Sequence, residues 1–469
     1  MGVDVAKRVR IDGALVDPSA SGRVGGTSLI ERTGVVRRAG YGASSPEVGA
    51  LGGRTRQLVL EAGLACFAAK GFHETVMEDI AAKAGVSRAT LYQYFASKES
   101  IFLELIEVGG GDFLTLAKST GPFGADALGF ENLLAWVSAW SNEVDRYSAL
   151  FVEWSNVNAR RAALRPRLAW FVERHTSVWA KQLSSADLGI VSPETMAVLM
   201  LAMADRYNYM RLVHKPDASD SKLATNLALA FQEVLFPSDP IAGPAAETDS
   251  ASATLSSTDS SAELSATGID PLAGLTPQAV VTVRKLLDAA GRVFANNGYS
   301  GSNVDLIVGE AGLARGTFYK YFKERTQLLA VLAQECAASL VPALAELEEL
   351  ARLTDLPQRS ARLRVLLAEF LRIQHFHSAV LRAWLEQQPT DQAVLAPYAG
   401  VRLQLRNTVA AMLTNAPSNK RLDLEAAAMM FAALLERFPE ESTGTRYALT
   451  DAQIIEAQAH FFERAFFVS

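Results

Sequence analysis

An internal repeat constrains the fold more than any other feature of the sequence. The segment AGVSRATLYQYF, residues 84–95, recurs 227 positions later as AGLARGTFYKYF, and seven of the twelve positions are identical. Gly71 and Gly298 are separated by the same interval, and weaker matches continue farther along the chain at intervals of 230 and 231. The 469-residue chain therefore contains a duplicated domain, and each copy must bury a core of its own.

Both copies have the pattern of α-helices and lack the alternation of strands. In the first copy Val59, Ala62, Cys66 and Ala69 are spaced by three and four residues, which places them on one helix face. Gly71 then predicts a helix C-terminus, because glycine accepts the left-handed conformation that often ends a helix.

The next helix of each copy has a predicted N-terminal cap. Thr75 is the expected capping residue of the first copy, with Glu78 as its capping-box partner. Ser302 and Asp305 take these places in the second copy. The repeated Ala-Gly sequence predicts that this helix ends in a tight turn.

A short helix follows that turn in both copies, which is the arrangement of a helix-turn-helix motif. Leu91 and Phe95 lie four positions apart and are expected to face the core. The other side chains are left outside: Arg88, Thr90, Tyr92, Gln93 and Tyr94. Hydroxyl, amide and guanidinium groups on a helix that enters the major groove can contact base edges and phosphates.

Residues 55–106 and 282–333 resemble the N-terminal DNA-binding domain of TetR-family transcriptional regulators. The shared features are a Phe-x-x-x-Gly-aromatic opening, the Ala-Gly turn, a Thr-x-Tyr-x-Tyr-Phe helix and a basic residue after it. The resemblance implies an all-α fold of two TetR-like units. In each, a helix-turn-helix domain precedes a helical domain for ligand binding and dimerisation.

The resemblance also assigns a DNA-facing set to each copy. In the first copy the set is Thr75, Arg88, Thr90, Tyr92, Gln93, Tyr94 and Lys98. In the second copy it is Ser302, Arg315, Thr317, Tyr319, Lys320, Tyr321 and Arg325. The second copy departs from the family pattern at Gly309, which costs about 1 kcal/mol inside a helix.

The resulting domain organisation has six segments. We expect a disordered basic tail, a flexible linker rich in Pro, Ala and Ser, and two units of two domains each. The predicted order is tail 1–53, helix-turn-helix domain 54–106, regulatory domain 107–236, linker 237–275, helix-turn-helix domain 276–333 and regulatory domain 334–469.

The regulatory domains carry weaker signals. An unidentified, small hydrophobic effector is possible in a pocket lined by some of the tryptophans, for which the candidates are Trp136, Trp140, Trp154 and Trp384. Apolar segments near 193–213, 221–235, 422–437 and 450–466 are candidates for a four-helix interface. They could join the two units into an intramolecular pseudo-dimer or join two chains into a homodimer; alternatively, they could pack only within their own unit.

Other classes of protein find little support in the sequence. The net charge is −6, the two cysteines lie far apart, and no metal-ligand or cofactor motif is present. Gly109, Gly110 and Gly111 lack the Lys-Ser/Thr of a phosphate-binding loop and predict a helix break instead. No catalytic residues can be assigned, so an enzyme is not expected. We expect a cytoplasmic, nucleoid-associated protein with no membrane segment.

The functional prediction is a regulator that binds double-stranded DNA. We expect a ligand-responsive repressor with an imperfect palindromic operator, because the two helices predicted to face DNA differ at Gln93 and Lys320. The alternative is a helical ligand-binding or scaffold protein that has kept the fold without binding DNA.

Overall fold

The computed structural model describes residues 50–151, 165–237, 274–386, 389–415, 422–436, 438–441 and 447–467. Nearly all of the predicted tail and linker, and Trp154, lie outside these residues. The regular elements in the described part of the chain are helices, which confirms the all-α prediction. The predicted tail ends too late, because the first helix already begins at Ala50.

The first unit contains eight described α-helices. They are α1 (Ala50–Glu74), α2 (Met77–Ala84), α3 (Arg88–Tyr94), α4 (Lys98–Ser119), α5 (Ala127–Arg146), α6 (Arg165–Gln182), α7 (Pro193–His214) and α8 (Asp220–Leu235).

The second unit contains ten described α-helices. They are α9 (Pro277–Asn297), α10 (Val304–Ala311), α11 (Arg315–Tyr321), α12 (Arg325–Ala351), α13 (Leu356–Phe376), α14 (Ser378–Glu386), α15 (Gln392–Asn415), α16 (Leu424–Glu436), α17 (Phe438–Glu441) and α18 (Asp451–Phe466).

The turn between the two short helices has the same geometry in both units. Gly85 and Gly312 have φ values of 67° and 65°, in the left-handed region that glycine occupies without strain. The amide of Val86 donates to the carbonyl of Ala81 at 3.0 Å, and that of Leu313 donates to Val308 at 2.9 Å. These bonds satisfy the last carbonyls of α2 and α10 and fix the direction in which α3 and α11 leave the turn.

The glycine run in the first regulatory domain does not break a helix, so that prediction is wrong. Helix α4 continues through it to Ser119. A Cβ atom on Gly109 would lie 3.4 Å from the Tyr147 ring, and one on Gly110 would lie 3.0 Å from the Phe171 ring. The glycines therefore allow α6 and the end of α5 to approach α4 closely.

The two units pack against each other through one pair of long helices from each. Helices α7 and α8 of the first unit contact α16 and α18 of the second. The contact has an apolar centre, where the rings of Phe231 and Phe461 lie 6.2 Å apart. The alternative that these helices pack only within their own unit is therefore wrong, whereas the choice between an intramolecular pseudo-dimer and a homodimer of chains stays a prediction.

Ion pairs and hydrogen bonds join the units around this apolar centre. The Lys222 ammonium lies 2.8 Å from a carboxylate oxygen of Asp423. At the other end, the Arg464 guanidinium donates to the Asp187 carboxylate at 2.8 Å and to the carbonyl of Val234 at 3.0 Å. These bonds fix the register of α18 on the first unit.

One helix of the described residues, α12, is long and apolar enough by length and composition to cross a membrane. In the structure it packs on α9, α13 and α15, and leucines such as Leu328 and Leu344 lie in the core. This is the environment of a core helix.

Candidate nucleic-acid interface

Helix α3 is a short, capped helix that stands at the surface of the first unit. The Ser87 hydroxyl accepts a hydrogen bond from the amide of Thr90 at 3.0 Å, and the two hydroxyl oxygens lie 2.8 Å apart. Ser87 is thus the N-cap that orders the start of the helix. On the inner side, Leu91 and Phe95 are buried, as predicted.

Helix α11 has the same length and the same inner side, but its start is uncapped. Ala314 takes the N-cap position, with backbone angles close to those of Ser87 and no side-chain acceptor. The inner side is formed by Phe318 and Phe322, both buried. The second helix therefore depends more on its core contacts than the first does.

Both helices present equivalent side chains to solvent. The exposed residues with long side chains are Arg88, Tyr92 and Gln93 in α3 and Arg315, Tyr319 and Lys320 in α11. Thr90 and Thr317 are half-buried beside them. The four residues named in each unit form one surface, which we call the recognition surface of that unit. The structure thus leaves them available for contact, and their contact with DNA stays a prediction.

The arginine at the start of each recognition helix is paired with an acid on the preceding helix. Arg88 lies 2.8 Å from the Glu78 carboxylate, and its guanidinium lies over the Tyr92 ring. Arg315 donates to both carboxylate oxygens of Asp305, at 2.8 and 2.9 Å. Such exposed pairs are weak, so a phosphate can replace the carboxylate at little cost.

Thr75 and Ser302 are not on the recognition surface, so their assignment to the DNA-facing set is wrong. Both are buried, and each hydroxyl donates to the carbonyl four residues earlier, that of Gly71 at 2.7 Å and that of Gly298 at 2.6 Å. Through these bonds the two hydroxyls hold the glycine-containing segment that precedes the second helix of each unit.

The predicted capping of the second helix is also wrong by one residue. The N-caps are Val76 and Asn303. The Asp79 carboxylate accepts from the Val76 amide at 3.3 Å, whereas the Asn303 side chain accepts from the Leu306 amide at 2.9 Å.

Tyr94 is buried in the core and is not available on the surface, which contradicts its assignment. It follows Leu91 by three positions and precedes Phe95, so all three lie on the inner stripe of the helix. Its counterpart Tyr321 is half-buried, with the Lys320 ammonium 5.5 Å from its ring. The two units therefore differ in how far this tyrosine reaches the surface.

Lys98 and Arg325 lie at the N-termini of α4 and α12, where a phosphate contact was predicted. The Lys98 ammonium donates to the carbonyls of Phe72, His73 and Thr75 at 2.7, 2.8 and 2.9 Å. All three of its donors are used, so a direct phosphate contact would require breaking one of these bonds. The Arg325 guanidinium lies 4.2 Å from the centre of the Tyr299 ring. Both residues thus also contact the segment at the end of the first helix of their unit.

The candidate effector residues of the regulatory domains have different surroundings. Trp136 and Trp140 are buried among aromatic rings, and neither indole N–H has an acceptor among the described residues. Trp384 lines a cavity in the second unit and donates to the carbonyl of Val394 at 2.8 Å. Trp154 lies outside the described residues. The role of these tryptophans in effector binding stays a prediction.

Three charged residues have contacts that the sequence did not predict. Glu78 and Asp305 pair with the arginines of the recognition surface, while Arg206 is buried between the units. The available signal for Arg206 was its position two residues after the apolar segment MAVLMLAMA, residues 196–204.

Comparisons with known proteins agree with this geometry. A family model for bacterial regulatory proteins of the tetR family matches residues 59–105 and 286–332, which contain both helix-turn-helix motifs. The transcriptional regulator YfiR of Bacillus subtilis is 28% identical over 192 residues, or 38% of this chain and 90% of YfiR.

One further relative matches a smaller share of this chain, and one solved structure aligns with it at low similarity. The transcriptional repressor KstR2 of Mycobacterium tuberculosis is 32% identical over 117 residues, which cover 25% of this chain and 57% of KstR2. Among solved structures, SmeT, the repressor of the Stenotrophomonas maltophilia multidrug efflux pump SmeDEF, aligns with 38% of this chain and 87% of its own. Its sequence identity is 19% and the TM-score is 0.30.

Proposed function

Because the chain belongs to the TetR family of bacterial transcriptional regulators and carries two of its DNA-binding domains in tandem, we propose that one chain represses transcription by binding both halves of an imperfect palindromic operator. The observation that carries this proposal is the intramolecular packing of α7 and α8 on α16 and α18. It joins two recognition surfaces within one molecule, and paired helix-turn-helix motifs bind half-sites about one helical turn apart.

The two surfaces favour unlike half-sites. Gln93 of α3 is replaced by Lys320 in α11, and Ala89 is replaced by Gly316. An amide pairs most readily with adenine, whereas a lysine pairs with guanine or with phosphate. An operator that serves both surfaces would therefore be a palindrome with a mismatch between its halves.

Repression and control by a small effector complete the proposal. KstR2 and SmeT are named as repressors. In this chain, an effector in a regulatory domain would change the separation of the recognition surfaces and lower the population of the DNA-binding state. The protein would act in the cytoplasm, on the nucleoid, without catalytic activity.

Two measurements test the proposal. Fluorescence anisotropy with DNA from upstream of the gene should show binding that weakens steeply with salt. Tyr92→Ala together with Tyr319→Ala should abolish it, since both exposed rings are lost while the cores are kept. Leu128→Ala, at an exposed position of the first regulatory domain, is the matched control.

The outcome also decides between the alternatives. Unchanged affinity in the double variant would contradict the recognition surface, and no DNA binding by the parent chain would favour a ligand-binding or scaffold protein. Sedimentation of the DNA complex should give one chain for each operator; two chains would indicate a homodimer with four DNA-binding domains.

A further inference from the structure

The second regulatory domain contains a cavity with apolar walls. Its lining includes Phe370, Leu405 and Leu435, and the rings of Trp384 and Tyr398 stack at one side with their centres 5.2 Å apart. Because the indole N–H of Trp384 already donates to a carbonyl, that side chain offers only the face of its ring. Most of the cavity therefore favours an apolar molecule.

One end of the cavity is polar and lies at the boundary with the first unit. Gln374, Tyr398 and Glu436 are found there. The Gln374 amide donates to the backbone carbonyl of Glu436 at 2.8 Å. The Tyr398 phenol and the Glu436 carboxylate are both directed at a residue of the other unit.

That residue is Arg206 of α7, whose side chain is 5% exposed. Its guanidinium donates twice to one carboxylate oxygen of Glu436, at 3.0 and 2.6 Å, and one of its nitrogens lies 3.4 Å from the Tyr398 oxygen. The first unit thus supplies a charged group directly behind the wall of a cavity in the second unit.

The polar end selects for a neutral acceptor. Arg206 and Glu436 are already paired with each other, so neither is free to neutralise a charged head group, and the burial of such a head group without a counter-charge is costly. The Tyr398 oxygen accepts from Arg206, but among the described residues its own O–H has no acceptor. Burial, followed by the charge of Glu436, raises the pKa of Tyr398 and keeps that proton in place.

We propose that this cavity binds a neutral, mainly apolar molecule whose carbonyl-type oxygen accepts a hydrogen bond from Tyr398, and that Arg206 transmits its presence to the first unit. The proposal deepens the ligand response included in the proposed function and rests on it. A ligand oxygen that accepts from Tyr398 fixes the direction of the phenol O–H and so changes the hydrogen bond in which the same phenol oxygen accepts from the Arg206 guanidinium. Any shift of Arg206 moves α7, which belongs to the interface that sets the separation of the recognition surfaces.

The ligand class can be tested with probes that share one chain and differ in head group. Isothermal titration of the full chain with methyl butanoate, butanoate and butylammonium should show the tightest binding for the ester. Tyr398→Phe keeps the stacked ring and removes only the hydroxyl, so it should weaken the ester about tenfold and leave the other two unchanged. Ala432→Leu, which fills the cavity, should weaken all three.

Two results would overturn the site. One is an ester affinity that Tyr398→Phe leaves unchanged, and the other is a charged probe that binds as tightly as the ester. The titrations with the three probes do not require DNA. A chain that prefers the ester and loses this preference in Tyr398→Phe, but binds no operator, would therefore contradict the proposed function and leave the site supported.

The role of Arg206 requires a second readout. Methyl butanoate should weaken operator binding by the parent chain, and the effect should disappear in Arg206→Met together with Glu436→Met at ester concentrations that titration shows to saturate that variant as well. Replacing both partners avoids an unpaired buried charge. Lys222→Met removes another ion pair of the interface and should keep the response. A full response in the double variant, or its loss in Lys222→Met, would contradict transmission through Arg206.

Discussion

Helices α3 and α11 have nearly the same backbone and different chemistry. Both have seven residues, follow a glycine with φ near 66° and rest on buried large apolar side chains. However, α3 has a serine cap and one cation, whereas α11 has no side-chain cap and carries two cations, with Lys323 just beyond it. The duplicated core preserved the position of the helix, while its outer surface and its start diverged.

The difference suggests how each surface contributes to binding. In α3 the N-cap orders the start of the helix, where the Arg88 guanidinium lies over the Tyr92 ring, but the helix has only one positive charge with which to attract DNA. The second has more positive charge and is less firmly ordered at its start. We therefore expect α11 to supply more of the salt-dependent affinity and α3 more of the discrimination among bases.

The largest expected effect comes from exchanging the charges. Lys320→Gln together with Lys323→Ala gives the second unit the residues of the first, and Gln93→Lys together with Ala96→Lys does the reverse. If both lysines contact phosphates, the slope of log K against log salt should become less negative by about 1.8. The loss in affinity should then be about tenfold greater at 50 mM than at 200 mM salt. Anisotropy titrations over that range measure it.

A matched control is Lys181→Gln, at an exposed position in the first regulatory domain. It should leave the slope unchanged. The reverse exchange in α3 should make the slope steeper by a similar amount. An equal loss at all salt concentrations in the second-unit variant would mean that the lysines contact bases and not phosphates.

The next effect in size is on stability and concerns the caps. Ser87→Ala should lower the free energy of unfolding by about 1 kcal/mol, because the Thr90 amide loses its acceptor. Ala314→Ser should raise it by a similar amount, since Ala314 has φ −75° and ψ 148°, close to the −69° and 151° of Ser87. Urea denaturation of the full chain measures both changes.

Ala314→Val is the control for this exchange, because valine tolerates the same backbone angles and has no acceptor. It should give no stabilisation. If it stabilises the chain as much as serine does, the gain comes from packing, and the difference between the two helix starts is not one of capping.

The sequence predicted the parts of the fold that depend on local rules. The glycines at the turns could be identified because their conformation restricts the choice of residue, and Leu91 and Phe95 followed from helical spacing. Tyr94 was misplaced although the same spacing puts it on the inner stripe, because a polar hydroxyl suggested exposure. The periodicity was the better guide.

What the sequence could not predict depends on contacts between distant segments. Thr75 is of a residue type that often caps helices, but its hydroxyl instead donates to the carbonyls of Gly71 and Cys66 in the preceding helix. The glycines of α4 suggested a break, yet Tyr147 and Phe171 fill the space that they leave. Arg206 needs Glu436, which lies 230 positions away, before its burial has an explanation.

The smallest expected effect concerns the acids that pair with the two arginines. Glu78→Gln and Asp305→Asn keep the shape of each side chain and remove a negative charge near the DNA. Both pairs are exposed. The exposed fractions of the side chains are 66% for Arg88 and 48% for Glu78 in the first unit. They are 58% for Arg315 and 64% for Asp305 in the second. The free energy of unfolding should therefore change by less than about 0.5 kcal/mol in either variant, whereas operator affinity should rise about threefold as repulsion of the phosphates is relieved.

Because Asp305 accepts two hydrogen bonds from Arg315 and Glu78 forms one ion pair, Asp305→Asn frees its arginine from the stronger constraint. Anisotropy at low salt decides the role of the acids: if affinity falls in Asp305→Asn and rises in Glu78→Gln, the carboxylate of the second unit positions Arg315 for a base, and the two recognition surfaces differ in mechanism as well as in charge.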